Sequence, residues 1–171
     1  MIPSLVERIA LLVRWPDLAP GKAKKATLAD MEAWAKQGGI DCENLNGNAT
    51  LRTCKNVDAV ALGEPETFSP AEEVDFEFRA TETLAVLTVL RRKLPVTQAN
   101  SMVAEVSKKL RAALGAPSKQ GGENTAEHFA KGPLQAYQEE YEFGDYVATL
   151  TETRLGDTGV LVREHYFSPV P

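Results

Sequence analysis

The feature that most constrains the fold of this 171-residue chain is a pair of cysteines, Cys42 and Cys54, on either side of the sequence Asn46-Gly47-Asn48. Asn-Gly is the strongest short signal for a two-residue hairpin turn, because both residues tolerate a positive φ. Strands that enter and leave such a turn bring the cysteines opposite each other. The pattern therefore predicts a hairpin closed by a Cys42–Cys54 disulfide.

The two cysteines have two alternative roles. They would behave as small apolar residues if they were buried and reduced. A structural zinc site needs four ligands, and the only two histidines, His128 and His165, lie far along the chain without ligand spacing, so no metal site is predicted. Because disulfides persist outside the reducing cytosol, we expect a periplasmic or secreted protein whose leader is absent from this numbering. A cytoplasmic location with reduced cysteines is the alternative.

Apolar periodicity predicts helices at residues 4–13, 27–38 and 97–114, although residues 8–15 also fit a strand. Thr97 is the expected cap of the third helix, and Gly115 ends it. The third helix has one continuous apolar stripe. Its members are Ala99, Met102, Val103, Val106, Leu110, Ala113 and Leu114.

Alternating or β-rich segments predict further strands at residues 74–78, 84–90, 134–154 and 160–168, the third of them broken near Gly144. Residues 63–73 and 118–133 are expected to be loops, the second of them mobile and with a turn of helix at 126–131. This order predicts an α+β fold in which a largely antiparallel sheet packs against the helix at 97–114. The chain is interpreted as a single domain over 1–171, with duplicated helix-plus-hairpin halves at 1–64 and 70–171 as the alternative.

Composition and motifs exclude several classes of function. The net charge is −5 and the basic residues are dispersed apart from short clusters at 22–25 and 91–93, so nucleic acid is not an expected partner. No apolar stretch is long enough to span a membrane. There is no Gly-rich phosphate loop, GxSxG or HExxH pattern, so neither a cofactor nor a catalytic residue is predicted.

Polar and aromatic residues of the C-terminal strands are the remaining candidates. Alternation places Glu140 and Glu142 on one strand face, opposite Tyr141, and this favours a solvated acidic face over paired catalytic carboxylates. His165 would serve as a general base only beside a nucleophile or a metal. The candidate partner-binding residues are Tyr137, Tyr141, Tyr146 and Tyr166. They would form an exposed aromatic face unless the helix at 97–114 covers them.

The spacing of Cys42 and Cys54 after a short helix, followed by antiparallel strands and a second helix and sheet segment, resembles small secreted or periplasmic α+β proteins of the β-lactamase-inhibitory-protein type. The second disulfide of that family is absent, because the chain has only two cysteines. Residues 74–78, 110–117 and 160–168 also look like segments of small bacterial envelope proteins. No binding residue is carried over from either resemblance.

These observations predict a non-enzymatic, exported or periplasmic binding protein whose partner is another protein or an envelope component. The alternatives are a small hydrolase or isomerase with an unrecognised pocket, and an intracellular binding protein of the immunity type.

Overall fold

The structure is a computed structural model and describes residues 26–144 and 146–168. These residues form one eight-stranded antiparallel sheet with three α-helices, which agrees with the α+β class. The first predicted helix, at 4–13, and its alternative strand at 8–15 lie outside the described residues.

The elements have the following bounds. The helices are α1 (Leu28–Gly38), α2 (Val96–Leu114) and α3 (Ala126–Ala130), with one 3₁₀ turn at Val60–Leu62. The strands are β1 (Cys42–Leu45), β2 (Asn48–Val57), β3 (Ala71–Phe78), β4 (Leu84–Leu94), β5 (Lys119–Gly121), β6 (Ala136–Phe143), β7 (Tyr146–Arg154) and β8 (Val160–Phe167). Their order in the sheet is β1-β2-β3-β4-β8-β7-β6-β5, so the last strand lies between β4 and β7.

The cysteine hairpin is confirmed. Asn46 and Gly47 both have positive φ, 53° and 72°, as a two-residue turn that matches the sheet twist requires. Cys42 lies directly opposite Cys54 in the β1–β2 register, with their Cα atoms 4.1 Å apart, and the two sulfurs are bonded. The disulfide therefore ties the edge strand of the sheet to its neighbour.

Helix α1 begins and ends as its sequence predicts. Thr27 and Asp30 form a reciprocal capping box, in which Asp30 N–H donates to the Thr27 hydroxyl at 3.3 Å. Gly39 ends the helix in the left-handed conformation, with φ of 60°. The helix packs on the sheet through Trp34, whose ring centroid lies 6.0 Å from that of Phe76.

Helix α2 contains the predicted helix, but its N-terminus differs. The helix begins at Val96 directly after Pro95, so Thr97 is not its cap. Proline suits this position because its fixed φ matches a helix start and its missing N–H is not needed there. The predicted stripe is buried at five positions: Ala99, Met102, Val103, Val106 and Leu110. Through this stripe the helix packs across β7 and β8.

Residues 118–133 are more ordered than a mobile loop. Lys119 and Gly121 pair with Glu140 and Gln138, so β5 is the edge strand next to β6. Helix α3 follows and is anchored by the buried ring of Phe129. Sequence periodicity missed β5 because it has only three residues, all exposed, and so carries no apolar alternation.

The sheet continues across the predicted boundary between the halves at 64 and 70. Strand β3 begins at Ala71, which pairs with Val57 at the end of β2. The connection between these strands folds back over the same face that the helices cover. It contributes Glu64 and Phe68, which both contact Arg91 of β4.

All the described helices lie on one face of the sheet. The registers align Phe76, Tyr166 and Tyr141 in one row across β3 to β6, so these side chains point to the same side. Helix α1 contacts this row through Trp34, and Ser107 of α2 contacts Glu139 in the adjacent row. We call this side the covered face.

The opposite side, which we call the open face, consists of three rows of residues that run from β2 to β6. No helix of the described part of the chain lies over it. The rows are Leu51, Glu77, Val86, Phe167, Val147 and Glu142; then Thr53, Asp75, Thr88, His165, Thr149 and Glu140; and then Lys55, Glu73, Leu90, Arg163, Thr151 and Gln138.

Candidate functional site

The four tyrosines predicted as partner-binding residues lie on the covered face. Tyr137, Tyr141, Tyr146 and Tyr166 are between 0% and 5% exposed. The expected exposed aromatic face is therefore not formed by these rings. The rings are instead covered by the helix, which is the alternative given in the sequence analysis, since α2 packs over the strands that carry them.

Two of these tyrosines bind a buried carboxylate. Glu139 accepts hydrogen bonds from Tyr137 Oη at 2.5 Å and from Tyr141 Oη at 3.0 Å. It also accepts from Ser107 Oγ at 2.7 Å and Arg111 Nη2 at 2.6 Å, both on α2. With both carboxylate oxygens hydrogen-bonded within the fold, Glu139 fixes α2 on β6.

Burial and hydrogen bonding have opposite effects on the pKa of Glu139. Burial alone would raise the pKa of Glu139, but the hydrogen bonds from Tyr137, Ser107 and Arg111 outweigh it and hold the pKa below its usual value. Burial, followed by the neighbouring carboxylate, raises the pKa of Tyr137 to about 12. The tyrosine therefore stays protonated at neutral pH and donates to Glu139.

A second buried cluster centres on Arg91. Its guanidinium donates to Glu64, its Nη1 lies 3.7 Å from Glu164 Oε2, and its Cζ is 5.6 Å from the ring centroid of Phe68. Tyr166 Oη donates to Glu164 at 2.6 Å. The cluster joins the β2–β3 connection to the centre of the sheet, and its ion pairs are buried. The carboxylates of Glu64 and Glu164 compensate the positive charge of the buried Arg91 guanidinium, and this explains the presence of the three charged groups in the core.

A third buried polar site centres on Glu152, which has no cation beside it among the described residues. Asn100 of α2, with its amide nitrogen turned towards β7, donates to Glu152 Oε1 at 2.5 Å. Oε2 is buried without a hydrogen-bond partner among the described residues. Burial raises the pKa of Glu152 to about 8, so the group is predominantly a neutral acid at pH 7.

On the open face, the structure brings a hydroxyl to His165. Thr88 Oγ1 lies 3.0 Å from His165 Nδ1, and Arg163 Nη2 lies 3.1 Å from the same atom. Because arginine only donates, Nδ1 is the acceptor and the ring proton is on Nε2. Burial and then the Arg163 charge lower the pKa of His165, so the ring is neutral at pH 7.

In this arrangement His165 is a poor general base for the Thr88 hydroxyl. The lone pair on Nδ1 already accepts from Arg163, and a nearby positive charge opposes the protonation that proton abstraction would require. His165 and Thr88 are therefore a hydrogen-bonded pair between β8 and β4. The sequence did not indicate this contact, because the two residues are 77 positions apart.

The most exposed aromatic side chain of the open face is Phe167. It is 37% exposed and lies between Val86 of β4 and Val147 of β7 in one register row. The same row continues on either side to Glu77 on β3 and Glu142 on β6, which are both exposed. An apolar centre with a charged rim is the usual anatomy of a protein interface.

Beside the cysteine hairpin lies an open groove of about 310 Å³. It is bordered by the end of α1 at Gly38 and by Asp41, Lys55 and Asp58. Lys55 Nζ is held at 2.8 Å by Glu73 Oε2, so the cation of the groove is already paired. The groove has no residue set that indicates a reaction.

The sequence matches no family model, and comparisons with curated proteins and with solved structures find no significant similarity. Within the described residues, no helix is long and apolar enough to cross a membrane, and no cluster of three histidine, cysteine or acidic residues is arranged to hold a metal ion. The open face is thus the candidate that the geometry supports best.

Proposed function

We propose that this protein is a non-enzymatic binding protein that recognises another protein through the open face of its sheet. The observation that carries the proposal is the one-sided placement of the helices in the described part of the chain, none of which covers the three rows of side chains on the other side. Phe167 with Val86 and Val147 supplies the apolar centre, and the exposed carboxylate of Glu77 favours a partner with a basic group beside an apolar contact. Glu142, on the other side of the centre, is already paired with Lys119 at 3.0 Å.

The buried polar clusters support a binding role over an enzymatic one. Glu139 and Arg91 are held by partners within the fold, and Glu152 is sealed from solvent. A small hydrolase or isomerase would have to use His165 and Thr88, the only such pair found on the open face of the described residues. That alternative requires a reaction that His165→Ala abolishes.

We further propose that the protein acts in the periplasm or outside the cell. The Cys42–Cys54 bond supports this location, because reducing compartments keep thiols free. Alkylation of free thiols in intact cells, before lysis, tests the proposal. Both cysteines should be protected until a reductant is added, whereas an intracellular protein of the immunity type would have both cysteines alkylated at once.

We also propose that the chain is built from two related halves, as its resemblance to the β-lactamase-inhibitory-protein type implies. Each half would comprise a helix followed by four strands, at 28–94 and at 96–167. In this arrangement the halves meet where β4 pairs with β8. The strand order supports a division near Pro95 rather than between residues 64 and 70.

The binding proposal is tested by capture of partners from envelope extracts with the wild-type protein, Phe167→Ala and Phe143→Ala. Phe143 is the matched control, because it is 45% exposed and lies on the opposite side of the sheet, where its ring approaches Tyr146. A protein that binds both the wild type and Phe143→Ala should lose at least about 1–2 kcal/mol of affinity for Phe167→Ala when purified and titrated. Equal affinity for all three proteins would refute the open face as the binding surface.

A further inference from the structure

The open face carries a partly buried cation, Arg163, that is not matched by a carboxylate. Arg163 lies near the middle of β8, between Leu90 of β4 and Thr151 of β7 in its register row. It takes part in none of the ion pairs formed among the described residues. This charge at the centre of the open face is therefore available to a ligand.

The acidic side chains of the nearest rows are too distant to compensate Arg163. They lie two strands from β8, with Glu73 and Asp75 on β3 and Glu140 on β6. Two strand spacings are about 10 Å, which is longer than the Debye length of about 8 Å at physiological salt. Glu73 and Glu140 are moreover paired with lysines on the strands beyond them, at 2.8 Å and 3.5 Å.

The guanidinium of Arg163 is held in place by a neighbour on its own strand. Arg163 Nη2 donates to His165 Nδ1 at 3.1 Å, and Thr88 Oγ1 lies 3.0 Å from the same nitrogen. This contact uses one of the five N–H donors of the guanidinium, and the others have no acceptor among the described residues. An arginine that is already held loses less side-chain entropy when it binds a ligand, so His165 positions Arg163 for binding.

The donor geometry and the net charge together indicate the class of ligand. A planar guanidinium binds a carboxylate through two parallel N–H···O hydrogen bonds, and such pairs are among the stronger polar contacts of proteins. The net charge of −5 repels phosphate dianions and polyanions more than it repels a singly charged group. A carboxylate is therefore the ligand that best fits Arg163.

We propose that Arg163 binds an aspartate or glutamate carboxylate of the partner protein. Arg163 and Phe167 lie on the same face of β8, four residues or about 13 Å apart along the strand. The partner then presents a carboxylate at about this distance from the apolar group that contacts Phe167, and a basic group opposite Glu77. This inference rests on the proposed function, because it names the chemistry that the open face recognises in its partner.

The carboxylate site can be tested without a partner, with sodium acetate as the probe. The Nε–Hε signal of Arg163 in a nitrogen–proton correlation spectrum is assigned by its loss in Arg163→Lys. At about pH 6, where acetate is ionised, this signal should shift more with acetate than with sodium chloride of equal ionic strength. The signal of Arg92 is the control, because Arg92 already pairs with Glu72 at 3.0 Å. Equal shifts of the Arg163 signal with acetate and chloride would overturn the carboxylate site.

Arg163→Gln and Arg92→Gln form a matched pair of variants for binding of a purified partner. We expect the Kd to rise at least about tenfold for Arg163→Gln and to stay unchanged for Arg92→Gln. Arg163→Lys should restore only part of the affinity, because an ammonium group does not bind both carboxylate oxygens in the same plane. Urea unfolding of each variant checks that the fold is intact. A Kd for Arg163→Gln or for Arg163→Lys that equals the wild-type value would overturn the proposal.

Failure of this proposal and failure of the proposed function give different results. If a partner loses affinity for Phe167→Ala but binds Arg163→Gln normally, then the open face is the binding surface and the carboxylate contact is refuted. If acetate shifts the Arg163 signal while every captured partner binds Phe167→Ala normally, then the carboxylate site is present and the assigned binding surface is refuted.

Discussion

Glu152 shows how one side chain can make the stability of the whole protein depend on pH. Its carboxyl group is buried on β7, faces Asn100 of α2, and lies between Tyr137 and Val162 in its register row. None of these neighbours is a cation, so burial determines the protonation state. The folded protein therefore holds a proton here that the unfolded chain releases at a much lower pH.

We expect Glu152→Gln to remove a loss of stability that the wild type shows as pH rises from about 4.5 to about 8. In this window the folded state binds more protons than the unfolded state, so the free energy of unfolding falls with rising pH, by at most about 1.4 kcal/mol per unit. Glutamine has no proton to lose. Urea unfolding at pH 5, 7 and 9 measures the difference.

Glu105→Gln, which changes an exposed residue of α2, is the control for that experiment and should follow the wild type at each pH. If Glu152→Gln and the wild type have parallel pH profiles, then the buried carboxyl group does not titrate as its surroundings imply.

Which residues lie on each face of the sheet was predictable only in part. Alternation correctly separated Glu140 and Glu142 from Tyr141, and the same parity places Glu139 inside with the tyrosines. Alternation does not show which side of the sheet the helices cover. The tyrosine rings were therefore expected on an exposed face, whereas α2 covers them. The pattern Tyr-x-Glu-x-Tyr at 137–141 was the available signal, because hydroxyls two residues away on a strand can satisfy a buried carboxylate.

At the scale of elements, the cysteine hairpin stabilises an edge of the sheet. The disulfide closes a loop with a sequence separation of 12 residues and so removes conformational freedom from the unfolded chain. Replacing Cys42 and Cys54 by serine should lower the free energy of unfolding by about 2–4 kcal/mol, measured by denaturant titration without reductant. Reduction of the wild type should produce a similar loss. A double variant as stable as the oxidised protein would show that the cross-link contributes nothing.

Helix α2 offers a matched pair of variants in adjacent positions. Leu110 is fully buried against the sheet, whereas Lys109 is only partly buried on the flank of the helix. Leu110→Ala should cost about 2–5 kcal/mol of stability, because it removes apolar contacts and leaves a cavity. Lys109→Ala should have little effect on stability. Thermal or urea unfolding of both variants measures the difference. Similar losses from both variants would mean that the helix packs through another side.

Elements with strong local signals were the ones that sequence predicted well. The turn at Asn46-Gly47, the capping box at Thr27 and the stripe of α2 each depend on residues close together in the chain. Strand β5 was missed because its position depends on pairing with β6. The start of α2 at Val96 was missed because the helix follows β4 directly. Such boundaries are set by contacts between distant parts of the chain, and a short stretch of sequence carries no information about those contacts.

At the scale of the whole molecule, the strand segments were predictable and their order was not. Four strand regions after the hairpin were expected and are present, but nothing in the sequence places β8 between β4 and β7. That placement aligns Val86 with Phe167 and Val147, residues up to 81 positions apart. The proposed binding surface is therefore a product of topology and is invisible to any local pattern.

The central position of β8 has a consequence for biosynthesis. A ribosome delivers β4 well before it delivers β8, and until then the edge of β4 that β8 will occupy has a row of backbone amides and carbonyls without a partner. Such unpaired edges are templates for pairing between nascent chains. The nascent protein should therefore depend on protection from other chains until its final strand closes the gap.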